Sequence, residues 1–382
     1  MTRVLARWLA VGWLAWLCLA VPGEEYAPAT RSALDPFRKD ETDRALEKAV
    51  AYLIRQQGED GSIDKESRKR KPNAGIGRNS TALTSLAAMA IASLGHSPTD
   101  ETPEGQALRK ALVCVLDERR QRKDGYFGEG DHSRMYGHGI ASLLLAEMLG
   151  MGVDREQDRQ IRARLLLAIE LILRSQNVRK EPRFRGGWRY EPDSSDSDLS
   201  VTVWQVMALR SARNAGIIVP KEAVDLAADY IRRSYRALSP RADARAVAPA
   251  SFGYQPGGGD HKYAMGAAGL LSLQVCGFYE DPTVKGSADW LMEFKPTWET
   301  EWFLYGTYYY AQGMYQRGDK YAEHAREVVQ SILLRHQENN GEHAGSWDAR
   351  QGEERDAGRV YATSMAILSL SVKYHYLPIY QR

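Results

Sequence analysis

Cysteine is nearly missing from this chain: only Cys18, Cys114 and Cys276 occur in 382 residues. Cys18 lies in an apolar N-terminal stretch, so two thiols remain for the body. Both sit in apolar helical text and read as buried free thiols, which excludes a disulfide framework. An excess of one charge sign is missing too. The formal net charge is +2, and Arg3 and Arg7 alone account for it. Nothing in that balance favours nucleic acid or an anionic membrane as partner. Strand signals are missing as well, since there is no sustained period-two run and no hairpin dipeptide flanked by one. No Gly-x-Ser-x-Gly elbow is present. Gly257-Gly258-Gly259 lacks the Lys-Ser/Thr context of a phosphate loop.

One apolar run stands ahead of the rest, at the N-terminus. Trp8 to Val21 is uncharged and apolar and follows Arg3 and Arg7, and the small residues Ala20 and Gly23 at its end offer cleavage sites. It is shorter than the roughly 20 residues that a membrane span needs. It reads as a signal peptide over residues 1–23, which places the chain in a secreted or periplasmic location. An anchor through residues 8–21 is the alternative. Ala15-Trp16-Leu17 before Cys18 is too bulky for a lipoprotein context. Residues 24–40 read as an exposed lead-in, and residues 377–382 as a C-terminal tail.

What fills the space between is a repeat. An amphipathic helix leads to a Gly- and aromatic-rich loop, then to a helix of small apolar residues, six times over 41–376. The clearest loops are Gly186-Gly187-Trp188-Arg189-Tyr190-Glu191-Pro192, Gly125 to His132 and Phe252 to His261. Weaker copies are Gln56 to Ser62 and Gly345-Ser346-Trp347. The first helices begin near Ala45, Leu108, Ile161, Ala223, Val284 and Ala322, and carry charge on one face, as in Ala45 to Arg55. The second begin near Ser80, Tyr136, Leu199, Lys262, Phe303 and Val360, and lack a polar face, as in Thr81 to Ala90. Charged-face helices suit an outer ring and apolar ones an inner ring. Repeats at roughly 40 to 65 residues fall in the helix-pair range and bury their faces only against neighbours. The expected fold is all-α, an (α/α)6 toroid of six helix-pair repeats with inner and outer rings.

These repeats resemble the α-α toroid superfamily of squalene and terpene cyclases and protein prenyltransferase β-subunits. More narrowly, the chain is similar to secreted bacterial proteins with prenyltransferase and squalene oxidase repeats. Gln176 followed by Gly187-Trp188, and Gln337 followed by Gly345-Ser346-Trp347, match the family's Gln…Gly…Trp loops with longer spacers. The resemblance implies a central cavity for an apolar or isoprenoid ligand. Cyclases that protonate an alkene carry Asp-x-Asp-Asp at the start of an inner helix, because that step needs an unusually strong acid in a dry cavity. Here Asp196 and Asp198 match the first two carboxyls, and Leu199 replaces the last. The zinc set of prenyltransferases has no counterpart, as no Asp-x-Cys exists. The thioester segment Gly-Cys-Gly-Glu-Gln of complement-type toroids is absent too. No metal and no cofactor are expected.

The candidate catalytic residues are Asp196 and Asp198, with capping of the helix from Leu199 by Asp198 or Ser200 as the structural alternative. The candidate ligand cavity is lined by Tyr136, His138, Trp204, His261, Trp302, Tyr305 and Tyr308, which lie at inner-helix starts or on inner helices. Aromatics there can stack on sugars or on a polyene. Trp188 and Trp347 read as staples between repeats. Asp131-His132 and Asp260-His261 recur at equivalent places and read as capping aspartates beside exposed histidines. Two function classes follow. One is an exported toroid that binds an isoprenoid or carbohydrate ligand, or a partner, without chemistry of its own. The other is an enzyme of terpene cyclase, prenyltransferase or polysaccharide-processing type that uses Asp196 and Asp198.

Overall fold

A computed structural model describes residues 39–65, 76–237, 250–258, 262–349 and 352–380. The expected signal peptide, the lead-in through Arg38, His261 and the basic residues Arg68 to Lys71 lie outside the described residues. The helices are α1 (Glu41–Arg55), α2 (Ser80–Ala92), α3 (Pro103–Val115), α4 (Arg134–Met148), α5 (Arg155–Gln176), α6 (Leu199–Asn214), α7 (Lys221–Arg233), α8 (Tyr263–Val275), α9 (Pro282–Glu293), α10 (Phe303–Arg317), α11 (Asp319–His336), α12 (Gly352–Ala357) and α13 (Arg359–Leu370).

The outer helices α1, α3, α5, α7, α9 and α11 start up to six residues earlier than their apolar periodicity indicates. In α1, α3, α5 and α9 the first turn is held by a side-chain cap. Asp40 and Asp43 form a reciprocal capping box on α1. Thr102 caps α3 ahead of Pro103, Asp154 caps α5, and Asp281 caps α9 ahead of Pro282. The inner helices α2, α4, α6, α8, α10 and α13 start within two residues of where the apolar text begins. Every residue of α2 and of α8 is buried, as a helix without a polar face must be.

The inner helices pack in cyclic order, α2 on α4, then α6, α8, α10 and α13, and α13 returns to α2. Outer α1 touches both α3 and α11, so the outer ring closes as well. The expected all-α toroid is therefore present, with each inner helix held by its two neighbours in the ring.

One clasp recurs between outer helices. Gln57, Gln121, Gln176 and Gln337 each donate from Nε2 to two carbonyls at 2.8–3.0 Å. One belongs to the glycine of its own loop and the other to the next outer helix. That glycine lies against the next outer helix: Gly186 has φ +91°, and a Cβ there would stand 2.0 Å from the Leu226 carbonyl oxygen. Only glycine tolerates both conditions. The fourth clasp, from Gln337 to Gly345 and Ala45, joins the last repeat to the first. Trp188 and Trp347 are buried, and each indole N–H reaches the outer helix of its own repeat rather than of the adjacent one. Trp188 Nε1 donates to Ile172 O at 2.8 Å, and Trp347 Nε1 to Leu333 O at 2.7 Å.

Two expectations need correction. A short antiparallel ribbon exists, β1 (Tyr235–Ala237) on β2 (Ala250–Phe252), with Tyr235 opposite Phe252. Three-residue strands are too short to show a period-two pattern. Residues 377–380 are not a free tail: Leu377, Ile379 and Tyr380 are buried, and the turn Pro378–Tyr380 packs on α6. Both cysteines of the body are free thiols, Cys114 buried and Cys276 half-buried.

Candidate functional site

The inner helices converge with their N-termini on one face, and their orphan amides are met by groups from the next repeat. Met135 N–H donates to Tyr190 O, and Leu199 N–H to Tyr254 O, each at 2.9 Å. At α2 and α10 a carboxylate crosses over instead. Asn79 and Trp302 have φ of 59° and 57°, and neither side chain caps its helix. Asp131 Oδ2 accepts from Thr81 N–H at 2.7 Å, and Glu354 Oε1 accepts from Tyr305 N–H at 2.7 Å. Asp131 is thus a buried cap, though of α2 in the preceding repeat rather than of the helix that follows it, and His132 is exposed. Burial pushes the Glu354 carboxyl up to about 7 against the backbone amides that hold it.

Asp198 is the cap of α6. Its Oδ1 accepts from Val201 N–H at 2.8 Å and from Ser200 Oγ at 2.7 Å. Its Oδ2 lies 3.1 Å from Arg189 Nε. Burial raises its pKa, opposed by Ser200, Val201, the Arg189 charge and the Tyr254 hydroxyl. Asp196 is half-buried and pairs with the same guanidinium, Nη1 to Oδ2 at 2.8 Å. One arginine therefore serves both carboxylates that the motif brings together. The Arg189 guanidinium also lies over the rings of Tyr190 and Tyr254, at 4.8 and 5.6 Å from their centroids. Those two hydroxyls meet at 2.5 Å.

Ser200 ties this corner to the ring axis. Tyr136 OH stands 2.5 Å from Ser200 Oγ, and Tyr305 OH donates to Ser200 O at 2.5 Å. Tyr136 also tilts over Tyr190, with centroids 5.9 Å apart. Below Ser200, Trp204 stacks on Tyr308 at 5.6 Å and meets Tyr309 edge-on at 5.7 Å. Trp204, Tyr308 and Tyr309 are 1%, 1% and 0% exposed. Half-buried Trp302 meets Tyr305 edge-on. Tyr136, Trp204, Trp302, Tyr305 and Tyr308 thus form one connected aromatic column from the mouth down the axis. Its lower part is filled by its own rings.

His138 does not join that column. It is buried without exposed surface, and its Nδ1 accepts from Phe127 N–H at 3.3 Å while Nε2 faces Ala168 O of outer helix α5 at 3.1 Å. This is a correction: the ring faces outward and bonds loop to helix. Burial lowers its pKa to about 4, so the imidazole is held neutral. His261 lies outside the described residues. Arg189, Arg134 and Glu354 were not singled out from sequence. Arg189 sits between Trp188 and Tyr190 in the clearest repeat loop, and that placement was the available signal. Among the described residues no group of three His, Cys, Asp or Glu side chains is placed to hold a metal ion.

With this geometry in view, the fold is an α-α toroid, and solved terpene-cyclase structures share it. The apo structure of the type II terpene cyclase MstE from Scytonema shares 17% identity, with a TM-score of 0.54 over 88% of this chain and 99% of that one. A variant of that enzyme in complex with geranylgeranyl dihydroxybenzoate, its substrate, shares 16% identity, with a TM-score of 0.53 over 88% of this chain and 98% of that one. A variant in complex with merosterolic acid A, its product, shares 16% identity, with a TM-score of 0.51 over 86% of this chain and 96% of that one. No family model and no curated protein matches the chain. At these identities the likeness establishes the fold, and one fold hosts many activities.

Proposed function

We propose that this chain is an exported toroid that binds a carbohydrate-like ligand at the mouth formed by the inner-helix N-termini, and that it does not protonate what it binds. The observation that carries this reading is the employment of Asp198. The carboxyl at the place of a cyclase's acid spends one oxygen capping α6 and turns the other to Arg189. The space beneath it is occupied by Trp204, Tyr308 and Tyr309. A terpene-protonating acid needs a proton aimed into an empty, dry pocket. The half-buried rings of Tyr136, Tyr190, Tyr254 and Trp302, edged by Arg134 and Arg189, instead offer flat faces with hydroxyl and guanidinium groups beside them. Aromatic bodies with polar tips suit ligands that stack and hydrogen-bond together.

The second reading is an isoprenoid ligand, favoured by the complexes of MstE with its substrate and product. Native mass spectrometry of the protein purified from its producing cell, followed by titration with soluble oligosaccharides and with geranylgeranyl dihydroxybenzoate, separates the two. Saturable oligosaccharide binding is expected, and Tyr254→Ala should weaken it at least tenfold. Conversion of the isoprenoid to a cyclised product that is lost in Asp198→Asn would overturn the proposal. Asn remains a good helix cap, so this variant should lose less than about 2 kcal/mol of stability.

A further inference from the structure

The opposite end of the ring, where the inner helices finish, is closed by the chain's own C-terminus. After α13 the backbone runs through Ser371–Tyr374 to His375, whose φ is +60° and whose Nε2 meets the Tyr315 hydroxyl. It then turns inward over Pro378–Tyr380. Leu377, Ile379 and Tyr380 are each 2% exposed. Both polar groups of the Ile379 backbone are taken by side chains of inner helices. Its N–H donates to Glu147 Oε2 of α4 at 3.2 Å, and its carbonyl accepts from Gln316 Nε2 of α10 at 3.4 Å. Glu147 Oε1 accepts in turn from Ser211 Oγ of α6. Three inner helices thus grip one turn of the tail through a single carboxyl and a single amide.

A group above this turn is not content with its surroundings. Gln312 is buried on the same face of α10 as Tyr308 and Gln316, and its amide has only the neighbouring Tyr308 hydroxyl within reach, short of a well-formed hydrogen bond. Buried polar groups left unpaired cost free energy that water can restore. A tail that withdraws would let water reach that amide.

We propose that the turn Leu377–Tyr380 is a releasable plug seated on Glu147 and Gln316, closed when Glu147 carries its proton and loosened when Glu147 ionises. The inference stands apart from the reading of the upper mouth. Closing the plug takes Glu147 out of water, and that burial pushes its carboxyl up from 4.5 to about 7. The titratable groups facing it are Tyr308 from α10 and Tyr380 from the plug. Burial raises both phenols far above neutrality, so neither titrates in the same range. Because the closed-state pKa is the higher one, closure is firmest below the ordinary carboxyl value. It weakens as pH rises toward the closed-state value and levels off above it. The linkage allows a change in the opening equilibrium on the order of a hundredfold.

Hydrogen exchange of the full chain, read by mass spectrometry at pH 5 and pH 8 and corrected for intrinsic exchange, tests this. Protection in the peptide covering residues 371–382 should fall more than tenfold at pH 8, while α8 stays protected at both values. Glu147→Gln, which keeps the acceptor and removes the charge, should flatten the change. Equal protection of the wild-type tail at the two pH values would overturn the proposal, and that arm stands even if the variant does not fold. A change that persists in folded Glu147→Gln would also overturn it.

Discussion

In the second repeat an imidazole does the work of a hydroxyl. At the head of four loops a backbone N–H donates to a side chain of the following inner helix. Ile63 donates to Thr84, Trp188 to Thr202 and Trp347 to Thr363, at 3.0–3.2 Å, while Phe127 donates to His138. His138 is the longer group and reaches on to Ala168 of the outer ring. Its depressed pKa, about 4 against 6.5, means that the fold binds the neutral ring. Stability from this group is fully present above pH 6.5 and is lost as pH falls through about 4, amounting to about 3 kcal/mol. Urea denaturation at pH 7 and pH 4.5 should therefore show a marked acid loss in the wild type. His138→Thr should lose part of that slope's amplitude and keep the Phe127 bond, whereas an unchanged slope would assign it to another group. From sequence, His138 was indistinguishable from a cavity histidine, because its partners lie 11 and 30 residues away. Asp198 was legible as a cap because the apolar text of α6 begins one residue later. Arg189 and Glu354 were not, since their partners are set by where the next repeat lands.

Elements are joined here by a Gln–Gly clasp more than by the helices' own propensities. The two outer helices that send no clasp to the next, α7 and α9, lie around the β1–β2 ribbon, and β2 packs directly on α9. The ribbon thus supplies the inter-repeat contact that a loop glycine supplies elsewhere. Inner-helix positions were readable because thirteen consecutive buried residues leave an unmistakable composition in α2. Outer-helix starts were not, since caps such as Asp154 and Thr102 stand outside any periodicity. The clasp itself leads to a graded prediction. Gln176→Ala leaves the Gly186 and Ala223 carbonyls unmet and should cost about 1–3 kcal/mol. Gly186→Ala forces a Cβ against the Leu226 carbonyl at positive φ and should cost about 2–5 kcal/mol. Thermal unfolding of the two variants checks the order; equal or reversed effects would mean that the loop yields where the glycine now fits.

For the molecule as a whole, the question is what closure adds. An open array of helix pairs unfolds from its ends, because terminal repeats have one neighbour. This chain has no such end within the ring, for Gln337 reaches Ala45 and Arg55 Nη2 donates to Ala344 O. Lys373 and Tyr374 add contacts to Asp40 and Asp43 at the start of α1. Bringing together groups 292 residues apart carries a chain-entropy cost about 1.6 kcal/mol above that of the other clasps, whose partners lie 43 to 50 residues apart. The closing seam should therefore be the place where the ring parts first. Gln337→Ala and Gln176→Ala delete chemically equivalent clasps, so a difference between them isolates closure. In Gln337→Ala, hydrogen exchange should rise in residues 41–55 and 337–347 while α5 and α6 remain protected. In Gln176→Ala the released free energy should be shared around a ring that stays shut, with protection falling more evenly. If both variants lose protection only beside the deleted side chain, closure adds nothing beyond one more pairwise contact, and the toroid behaves as a solenoid bent until its ends touch.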